Sequence, residues 1–454
     1  MIQYITTLRQ ELRPMLRLAA PLVMAELGWM GMGIVDTMMV GRVSAEAIGA
    51  VSLGSVLFYT VAIFGSGLML GLDTLVSQSF GAGKLMDCHR SLVSAVYLCL
   101  SLAPTLMLVT WCWVPLLGRF GINPVVLQQT VPYLRAIIWS TLPLLLYFAL
   151  RRYLQAMDRV TPIMFALITA NLVNVAGNWI LVYGHFGIQA MGAEGSGWAT
   201  CFSRVYMVAV LVIYTLYDAG VNHTSLLHAP LALDFTRIRD LVKLGFPAAS
   251  QLSLEIGVFA AATALIGTLD PLSLAAHQIA INTASFTYMV PLGISSAAAV
   301  RVGQALGRGD VHAAGRSGWT AMGLGAAFMA AAGLVLITVP EYVARVFTTD
   351  RAVIRTAVSL LAVAALFQLF DGIQSVATGA LRGAGDTSTP MLCHMLLYWL
   401  IGLPLGYALC FGLGWGAIGL WTGLCVALIL IGLVLLVVWT RKVHSMAAAR
   451  AVAG

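Results

Sequence analysis

The sequence predicts an all-α polytopic membrane protein of twelve transmembrane helices, in two six-helix bundles related by a pseudo-two-fold axis along the membrane normal. Hydrophobic residues make up 60% of the 454 positions and charged residues 9%, against about 25% charged in an ordinary soluble domain. A single apolar core stops growing beyond roughly 250 to 300 residues. So much apolar sequence therefore indicates lipid as the solvent, and its division into twelve runs with repeated motifs indicates two bundles.

The apolar runs fall into two groups of six. A transmembrane helix needs roughly 20 residues, and the first six runs of that length lie near 16–40, 50–79, 91–118, 130–155, 162–184 and 192–217. The other six lie near 241–268, 275–306, 316–339, 354–380, 390–412 and 416–440. The first run is too long for a signal peptide, and no small-residue cleavage site follows it. We therefore predict an N-terminal lobe at 1–217, a polar cytoplasmic linker at 218–240 and a C-terminal lobe at 241–454.

The two lobes repeat the same motifs at offsets between 224 and 228 residues. The matching pairs are Leu18-Ala-Ala-Pro21 with Leu244-Gly-Phe-Pro247, Val76-x-Gln78-x-x-Gly81-x-Gly83 with Val302-x-Gln304-x-x-Gly307-x-Gly309, Asp158-x-x-Thr-Pro162 with Asp386-x-x-Thr-Pro390, and Gly192-Ala-x-Gly195 with Gly416-Ala-x-Gly419. This pattern indicates duplication. Because each copy has an even number of spans, both copies share one orientation, as in secondary transporters built from parallel repeats.

The distribution of basic residues predicts the orientation in the membrane. Most of the 25 Lys and Arg residues lie at the termini, in the linker and in the loops of one side, and such loops tend to stay in the cytoplasm. We predict a multi-pass protein of a bacterial inner (plasma) membrane with both termini cytoplasmic. The net charge of +7 follows from this topology and does not indicate nucleic-acid binding. The seven cysteines occur singly, which argues against a zinc site or a disulfide framework.

Several short motifs resemble the multidrug and toxic compound extrusion (MATE) family, and within it the NorM branch. They are Ala20-Pro21, Val35-Asp36-Thr37-x-x-Val40-Gly41, Gln78-x-x-Gly81-Ala-Gly83, Leu254-Glu255, Ala276-His-Gln278 with Asn282, and Arg382-Gly-x-Gly-Asp386. The resemblance implies secondary active efflux of bulky, often cationic drugs and other organic compounds in exchange for Na⁺ or H⁺. It also implies no enzymatic activity, no cofactor, and membrane lipid as the surroundings of what we expect to be a monomer.

The N-lobe carries one candidate ion site. An ionisable group near the centre of a transmembrane helix costs about 2.5 to 3.5 kcal/mol on insertion scales, so each invites a functional explanation. Asn174 and Asn178 share one face of the fifth span, and a rise of 1.5 Å per residue puts Asn178, Asp36 and Thr200 at similar depth. The resemblance places a cation or proton site at Asp36, Asn174, Asn178 and Thr200. The alternative is a polar network that only holds the helices together.

The C-lobe carries a second candidate site. Glu255, Asp371 and the amides Gln278 and Asn282 lie on three polar stripes that should face one another, because lipid does not satisfy such groups. Two carboxylates without an evident basic partner repel each other or recruit a cation. The resemblance places the C-lobe cation site at Glu255 and Asp371, which favours sodium as the coupling ion, and we expect Gln278 and Asn282 in the substrate cavity. The alternative is a protonated acid pair with a structural role.

The remaining candidates are single residues. Pro21 removes a backbone hydrogen bond early in the first span, so we expect a hinge there. Glu26 could join a central cavity, and Asp73 could reach water at the cytoplasmic end of its span. We expect Arg204 to pair with an acid or extend to the membrane surface, and His394 to be a packing residue.

Three other classes of protein fit the sequence less well. A lipid-linked oligosaccharide flippase of the same superfamily usually has two more helices and a basic cavity, whereas Arg204 is the one basic residue away from the ends of the apolar runs here. A major facilitator transporter normally carries Gly-x-x-x-Asp-Arg after its second span, where this chain has Gly81-Ala-Gly-Lys-Leu-Met-Asp87. A membrane enzyme would need a metal-binding or nucleophile motif, and we find none in the sequence.

Overall fold

The computed structural model describes residues 2–119, 124–221 and 230–453, and every regular element within these ranges is helical. This confirms the predicted fold class. In chain order the α-helices are α1 (Ile2–Gly41), α2 (Ala45–Leu68), α3 (Gly71–Gly81), α4 (Leu85–Trp113), α5 (Pro124–Ile138), α6 (Thr141–Ala156), α7 (Thr161–Leu181), α8 (Ala193–Val221), α9 (Phe235–Ile266), α10 (Pro271–Gly307), α11 (Val311–Thr338), α12 (Pro340–Arg345), α13 (Arg351–Gly383), α14 (Ser388–His394), α15 (Leu403–Tyr407) and α16 (Ala417–Ala453).

The described residues contain eleven helical stretches that are long and apolar enough to cross a membrane, and one bent pair that can form a twelfth. The bent pair is α5 with α6, at 48° to each other, and corresponds to the fourth predicted span. In the eleventh span the π-helical turn Met395–Gly402 joins α14 to α15, and a second π-helical turn, Ala408–Gly412, follows α15. The number of spans agrees with the prediction, while α1 begins at Ile2 instead of near residue 16.

The predicted linker at 218–240 is described only in part. Helix α8 continues to Val221 and α9 begins at Phe235, so both ends of the segment are helical. Residues 222–229 lie outside the described part of the chain.

The chain divides into two compact units, and each contains one end of a helix from the other half of the sequence. The first unit is Met24–Ala249, and the second consists of Ser250 onward together with the residues up to Val23. Each boundary lies two residues after a repeated proline, Pro21 in α1 and Pro247 in α9. The lobe boundaries proposed from the sequence stay a prediction, since the units cut α1 and α9 within the helix.

Within the second unit, the start of α1 packs closely on α10 and α11. Arg301 Nη2 donates to Glu11 Oε1 at 2.7 Å, and Ser317 donates to the same oxygen. A Cβ atom added to Gly293 would lie 2.7 Å from the backbone nitrogen of Val23. The glycine therefore lets the two helices approach at backbone distance.

Within the first unit, the start of α9 packs in the same manner on α2 and α3. A Cβ atom at Gly245 would lie 2.2 Å from the carbonyl oxygen of Leu68. The rings of Phe64 and Phe246 meet edge to face, with centroids 5.7 Å apart. The first turns of α1 and of α9 are thus each fixed by close contacts inside the unit that contains them.

The repeated Gly-x-Gly motif ends a helix in the same way in both halves. Gly83 and Gly309 have φ values of 73° and 74°, a left-handed conformation that glycine adopts at low cost. The next residue then bonds back into the helix, from Lys84 N to Ser79 O and from Asp310 N to Ala305 O, each at 2.9 Å. This is a Schellman-type helix end. The second glycine of the motif therefore has a conformational explanation.

Candidate functional site

The predicted N-lobe residues meet around the carboxylate of Asp36 in α1. Asn178 Nδ2 donates to Asp36 Oδ1 at 2.7 Å, and Thr200 Oγ1 donates to Asp36 Oδ2 at 2.9 Å. Asn174 joins through Asn178, whose Nδ2 also donates to Asn174 Oδ1 at 3.1 Å. All four side chains are buried. The three helices α1, α7 and α8 thus form one polar cluster, which we call the N-lobe site.

Local packing explains how α7 and α8 come close enough to share one acid. Gly177 precedes Asn178, and a Cβ atom there would lie 3.1 Å from the Cβ of Ala199, the residue before Thr200. The small residues let the two helices pack tightly at this level. The flanking polar side chains then reach the same carboxylate.

The orientation of the Asn178 amide follows from its neighbours. Its Nδ2 lies 2.7 Å from Asp36 Oδ1, 3.0 Å from the Asn174 backbone oxygen and 3.1 Å from Asn174 Oδ1. All three neighbours are oxygen acceptors, so the NH₂ group must face them. The Asn178 carbonyl oxygen consequently points away and has no hydrogen-bond partner among the described residues. Asp36 therefore accepts hydrogen bonds from both neighbours, and no ligand oxygen of Asn178 is turned toward it.

A polar cavity of about 260 Å³ adjoins the N-lobe site. Its lining includes Asp36, Thr200, Tyr59, Tyr133 and Arg204. The sequence does not predict this cavity, because the lining residues come from α1, α2, α5 and α8 and share no local pattern. The volume corresponds to several water molecules at about 30 Å³ each.

Arg204 lies in this cavity without an acid partner in the part of the chain that the structure describes. Its guanidinium donates to the hydroxyl oxygens of Ser140 and Tyr59, the latter at 2.7 Å. The guanidinium carbon also lies 4.9 Å from the centre of the Phe58 ring. Arg204 is buried inside the unit and does not extend to the membrane surface, while its pairing with an acid stays a prediction, since no carboxylate lies within ion-pair distance among the described residues.

The C-lobe site consists of Glu255 in α9 and Asp371 in α13, both buried. Tyr288 OH donates to Glu255 Oε1 at 3.4 Å, and Gln374 Nε2 donates to Asp371 Oδ1 at 3.1 Å. Glu255 Oε2 has no hydrogen-bond partner among the described residues. Each acid thus has a hydrogen-bond donor beside it, and one buried carboxylate oxygen is left without one.

His394 belongs to the C-lobe site, although sequence reasoning treated it as a packing residue. Its Nε2 lies 3.1 Å from Gln374 Oε1 and 3.7 Å from Glu255 Oε2, while its Nδ1 lies 2.8 Å from the Pro390 carbonyl oxygen. A histidine is a basic partner only when it is protonated, so the absence of a basic partner for these acids stays a prediction. One sequence signal was available: the equivalent position in the first half, 228 residues earlier, is apolar Ala166.

The two sites differ in how well they suit a metal cation. Hard cations such as Na⁺ and Ca²⁺ prefer several oxygen ligands. The C-lobe site has two carboxylates and the phenol of Tyr288, and the nearby buried Tyr398 hydroxyl has no partner among the described residues. In the N-lobe site there is one carboxylate, and the Asn178 amide presents its NH₂ group and not its oxygen to that carboxylate. Within the described residues, no three His, Cys, Asp or Glu side chains are grouped as a transition metal would require.

The other predicted site residues have simple surroundings. Gln278 and Asn282 lie four residues apart on α10, and both are exposed. Pro21 lies inside α1, which remains helical through it. Their roles in a substrate cavity and as a hinge stay predictions.

Glu26 and Asp73 are engaged in buried ion pairs of the first unit. Arg151 pairs with Glu26, and Arg152 Nη1 lies 3.5 Å from Asp73 Oδ2. Glu26 therefore has a partner inside the helix bundle, and Asp73 is fully buried and does not reach water. Such pairs orient helices with little net gain in stability.

Comparison with known proteins gives three consistent results. The sequence profile of the MatE family matches residues 21–180 and 247–408, two segments that begin at the repeated prolines. The probable multidrug resistance protein NorM of Mesorhizobium japonicum is 37% identical over 96% of this chain and 94% of its own length. The multidrug resistance protein MdtK of Yersinia pseudotuberculosis is 33% identical over 95% of this chain and 96% of its own length.

A solved structure shows the same fold. The eukaryotic MATE transporter AtDTX14 superimposes with a TM-score of 0.87 over 97% of this chain and 98% of that chain, at 22% sequence identity.

Proposed function

Because this chain belongs to the MatE family, we propose that it is a secondary active multidrug efflux antiporter that exports organic, often cationic compounds in exchange for Na⁺ or H⁺. The names of its relatives support multidrug efflux. The many apolar helices support a multi-pass protein of the bacterial inner membrane. An orientation with both termini cytoplasmic, and a monomeric state, are part of the same proposal.

The observation that carries the proposal is the presence of a separate buried acid site in each unit. Asp36 lies in the first unit, and Glu255 with Asp371 in the second. Charged groups at membrane depth are costly and commonly mark ion pathways. Neither acid site has an Arg or Lys within ion-pair distance in the described residues, unlike Glu26 and Asp73. A structural role alone leaves this difference unexplained.

We propose the C-lobe site as the place where the coupling cation binds. Glu255 Oε2 is available, and the second carboxylate and the Tyr288 hydroxyl supply further oxygens. Two neighbouring carboxylates favour occupation by a cation, which relieves their repulsion. This arrangement tilts the proposal toward Na⁺, with H⁺ as the alternative.

Coupling requires that cation and substrate oppose each other. If both bound independently, the ion gradient would dissipate without moving substrate. Asp36 is suited to link charge to helix position, because it lies on the same helix as Pro21, about four turns further along. We propose that the state of the N-lobe site sets the position of α1, with Pro21 as the hinge.

The test is efflux of a fluorescent organic cation such as ethidium from proteoliposomes, under an imposed Na⁺ gradient and separately under an imposed proton gradient. A tenfold gradient supplies about 1.4 kcal/mol per ion. We expect efflux under at least one gradient, and loss of efflux when Glu255→Gln and Asp371→Asn are combined. Glu341→Gln, which neutralises an exposed acid, is the matched control and should leave efflux unchanged. Dye loss no faster than in protein-free liposomes under both gradients would refute the proposed antiport.

A further inference from the structure

The N-lobe cavity contains a fixed positive charge that its acid does not contact directly. Arg204 is 1% exposed and lies one helical turn after Thr200, the residue that donates to Asp36. Both residues line the same cavity as Asp36. Because residues four apart share one face of a helix, Arg204 lies on the same face of α8 as Thr200, the residue that donates to Asp36.

The charge of Arg204 has no close compensation in its own surroundings. A guanidinium stays protonated in proteins. Arg151 and Arg152, also buried in the first unit, have carboxylate partners. Arg204 instead contacts the hydroxyls of Ser140 and Tyr59 and the rings of Phe58 and Tyr59, and its Nε has no partner among the described residues.

Asp36 is the one carboxylate among the residues that line this cavity in the described chain. A buried charge is costly unless an opposite charge compensates it. Asp36 and Arg204 therefore balance each other across the cavity, which then has no net charge. A metal cation that entered would meet the guanidinium as well as the carboxylate.

The hydrogen bonds at Asp36 lead to the same conclusion independently. A metal cation needs ligand oxygens around it. The Asn178 amide is held with its NH₂ group toward three oxygens, one of them Asp36 Oδ1, so it presents a donor and not a ligand oxygen to the acid. Its carbonyl oxygen would have to turn by about half a revolution to become a ligand.

We propose that Arg204 is the resident counter-charge of Asp36 and excludes alkali cations from the N-lobe cavity, so that Na⁺ binding is confined to Glu255 and Asp371. This inference rests on the proposed antiport function and specifies which site takes the metal cation. It also assigns Arg204 as the residue that determines ion specificity in the N-lobe site.

Equilibrium binding of ²²Na⁺ to the purified full-length protein tests the proposal. The C-lobe site is first silenced by Glu255→Gln with Asp371→Asn. With Arg204 intact, the silenced protein should show no saturable Na⁺ binding. Adding Arg204→Gln, which keeps hydrogen-bonding groups but removes the charge, should create saturable Na⁺ binding. Its affinity should be at least tenfold higher than that of the silenced protein with Arg204 intact. Arg204→Lys keeps the charge and should create none.

The created site must depend on the N-lobe acid, so a further Asp36→Asn substitution should abolish it. The proposal would be overturned if the silenced protein with Arg204 intact bound Na⁺ and Asp36→Asn removed that binding. This measurement does not depend on the folding of any Arg204 variant. Failure of a folded Arg204→Gln protein to gain binding would overturn it as well. Wild-type dye efflux tests the antiport separately: its absence alongside the expected binding pattern would defeat the proposed function and leave the role of Arg204 standing.

Discussion

Replacing Thr200 by Val removes one hydrogen-bond donor from Asp36 while nearly preserving the shape of the side chain. Thr200 Oγ1 donates to Asp36 Oδ2 at 2.9 Å in a buried site. A hydrogen bond to a charged group contributes about 1.5 to 3 kcal/mol. Since 1.4 kcal/mol is tenfold in an equilibrium constant, any transport step that requires charged Asp36 should be weakened by roughly ten- to a hundredfold.

Gradient-driven efflux from proteoliposomes measures this effect. Thr200→Ser retains the hydroxyl and is the matched control, so it should transport much faster than Thr200→Val. Asp36→Asn removes the charge and keeps the shape, and we expect it to abolish efflux while substrate binding persists. Asn178→Ala removes the other donor to Asp36 and should give a milder defect than Asp36→Asn.

The relative efflux rates of these variants test the coupling role most directly. If charge at Asp36 sets the position of α1, the defect must grow from Thr200→Ser through Thr200→Val to Asp36→Asn. Wild-type efflux by both Thr200→Val and Asp36→Asn, at equal amounts of reconstituted protein, would refute the coupling role. The N-lobe site would then be a polar network that only holds helices together.

The remaining predictions concern cation affinity and helix packing. Glu255→Gln and Asp371→Asn should each weaken Na⁺ binding in the purified protein without loss of the folded form, as measured by ²²Na⁺ titration and gel filtration. Gly379→Ala should destabilise the protein by about 1 to 3 kcal/mol, because the added Cβ would lie 2.1 Å from a backbone oxygen of α10; thermal unfolding measures this. Glu26→Gln should cost about 3 to 5 kcal/mol by leaving Arg151 buried and unpaired, and the double variant with Arg151→Met should recover most of that loss.

Each of these measurements can contradict its prediction. Gly323→Ala is the control for Gly379→Ala, since no heavy atom lies within 4 Å of the added Cβ. Equal unfolding temperatures for the two glycine variants would contradict the packing argument. Unchanged Na⁺ affinity in both C-lobe variants would reassign the acids to a structural role. A double variant no more stable than Glu26→Gln alone would show that the ion pair is not the cause of its loss.

The fold was predictable because it depends on length and composition. Apolar runs of about 20 residues can satisfy their backbone groups in lipid only as helices or closed barrels, and the repeated Gly-x-Gly motif marked two helix ends. The bend between α5 and α6 was not predictable. Ser140 and Thr141 there bond to carbonyl oxygens three residues earlier, and such hydroxyl residues also occur in straight spans.

The candidate sites were predictable where several polar residues recur at the three- or four-residue spacing of one helix face. Asn174 and Asn178 lie four apart, so their common face and depth led to Asp36. Arg204 and His394 are single residues without a period, and the rotation of each helix about its own axis determined their neighbours. That rotation depends on packing against other helices, which the pattern of one run does not contain.

The two halves of the chain nevertheless contain a signal for such residues. Framework positions are repeated, as in Pro21 with Pro247 and Gly83 with Gly309. At the positions equivalent to Asp36, Glu255, Arg204 and His394, the other half has Ala262, Trp29, Leu428 and Ala166. Both halves adopt the same helical framework without charge at those equivalent positions, so the fold does not require it. A buried polar or charged side chain that appears in only one copy of a duplicated bundle is therefore not needed by the shared framework, and this comparison would have drawn attention to Arg204 and His394 before their surroundings were known.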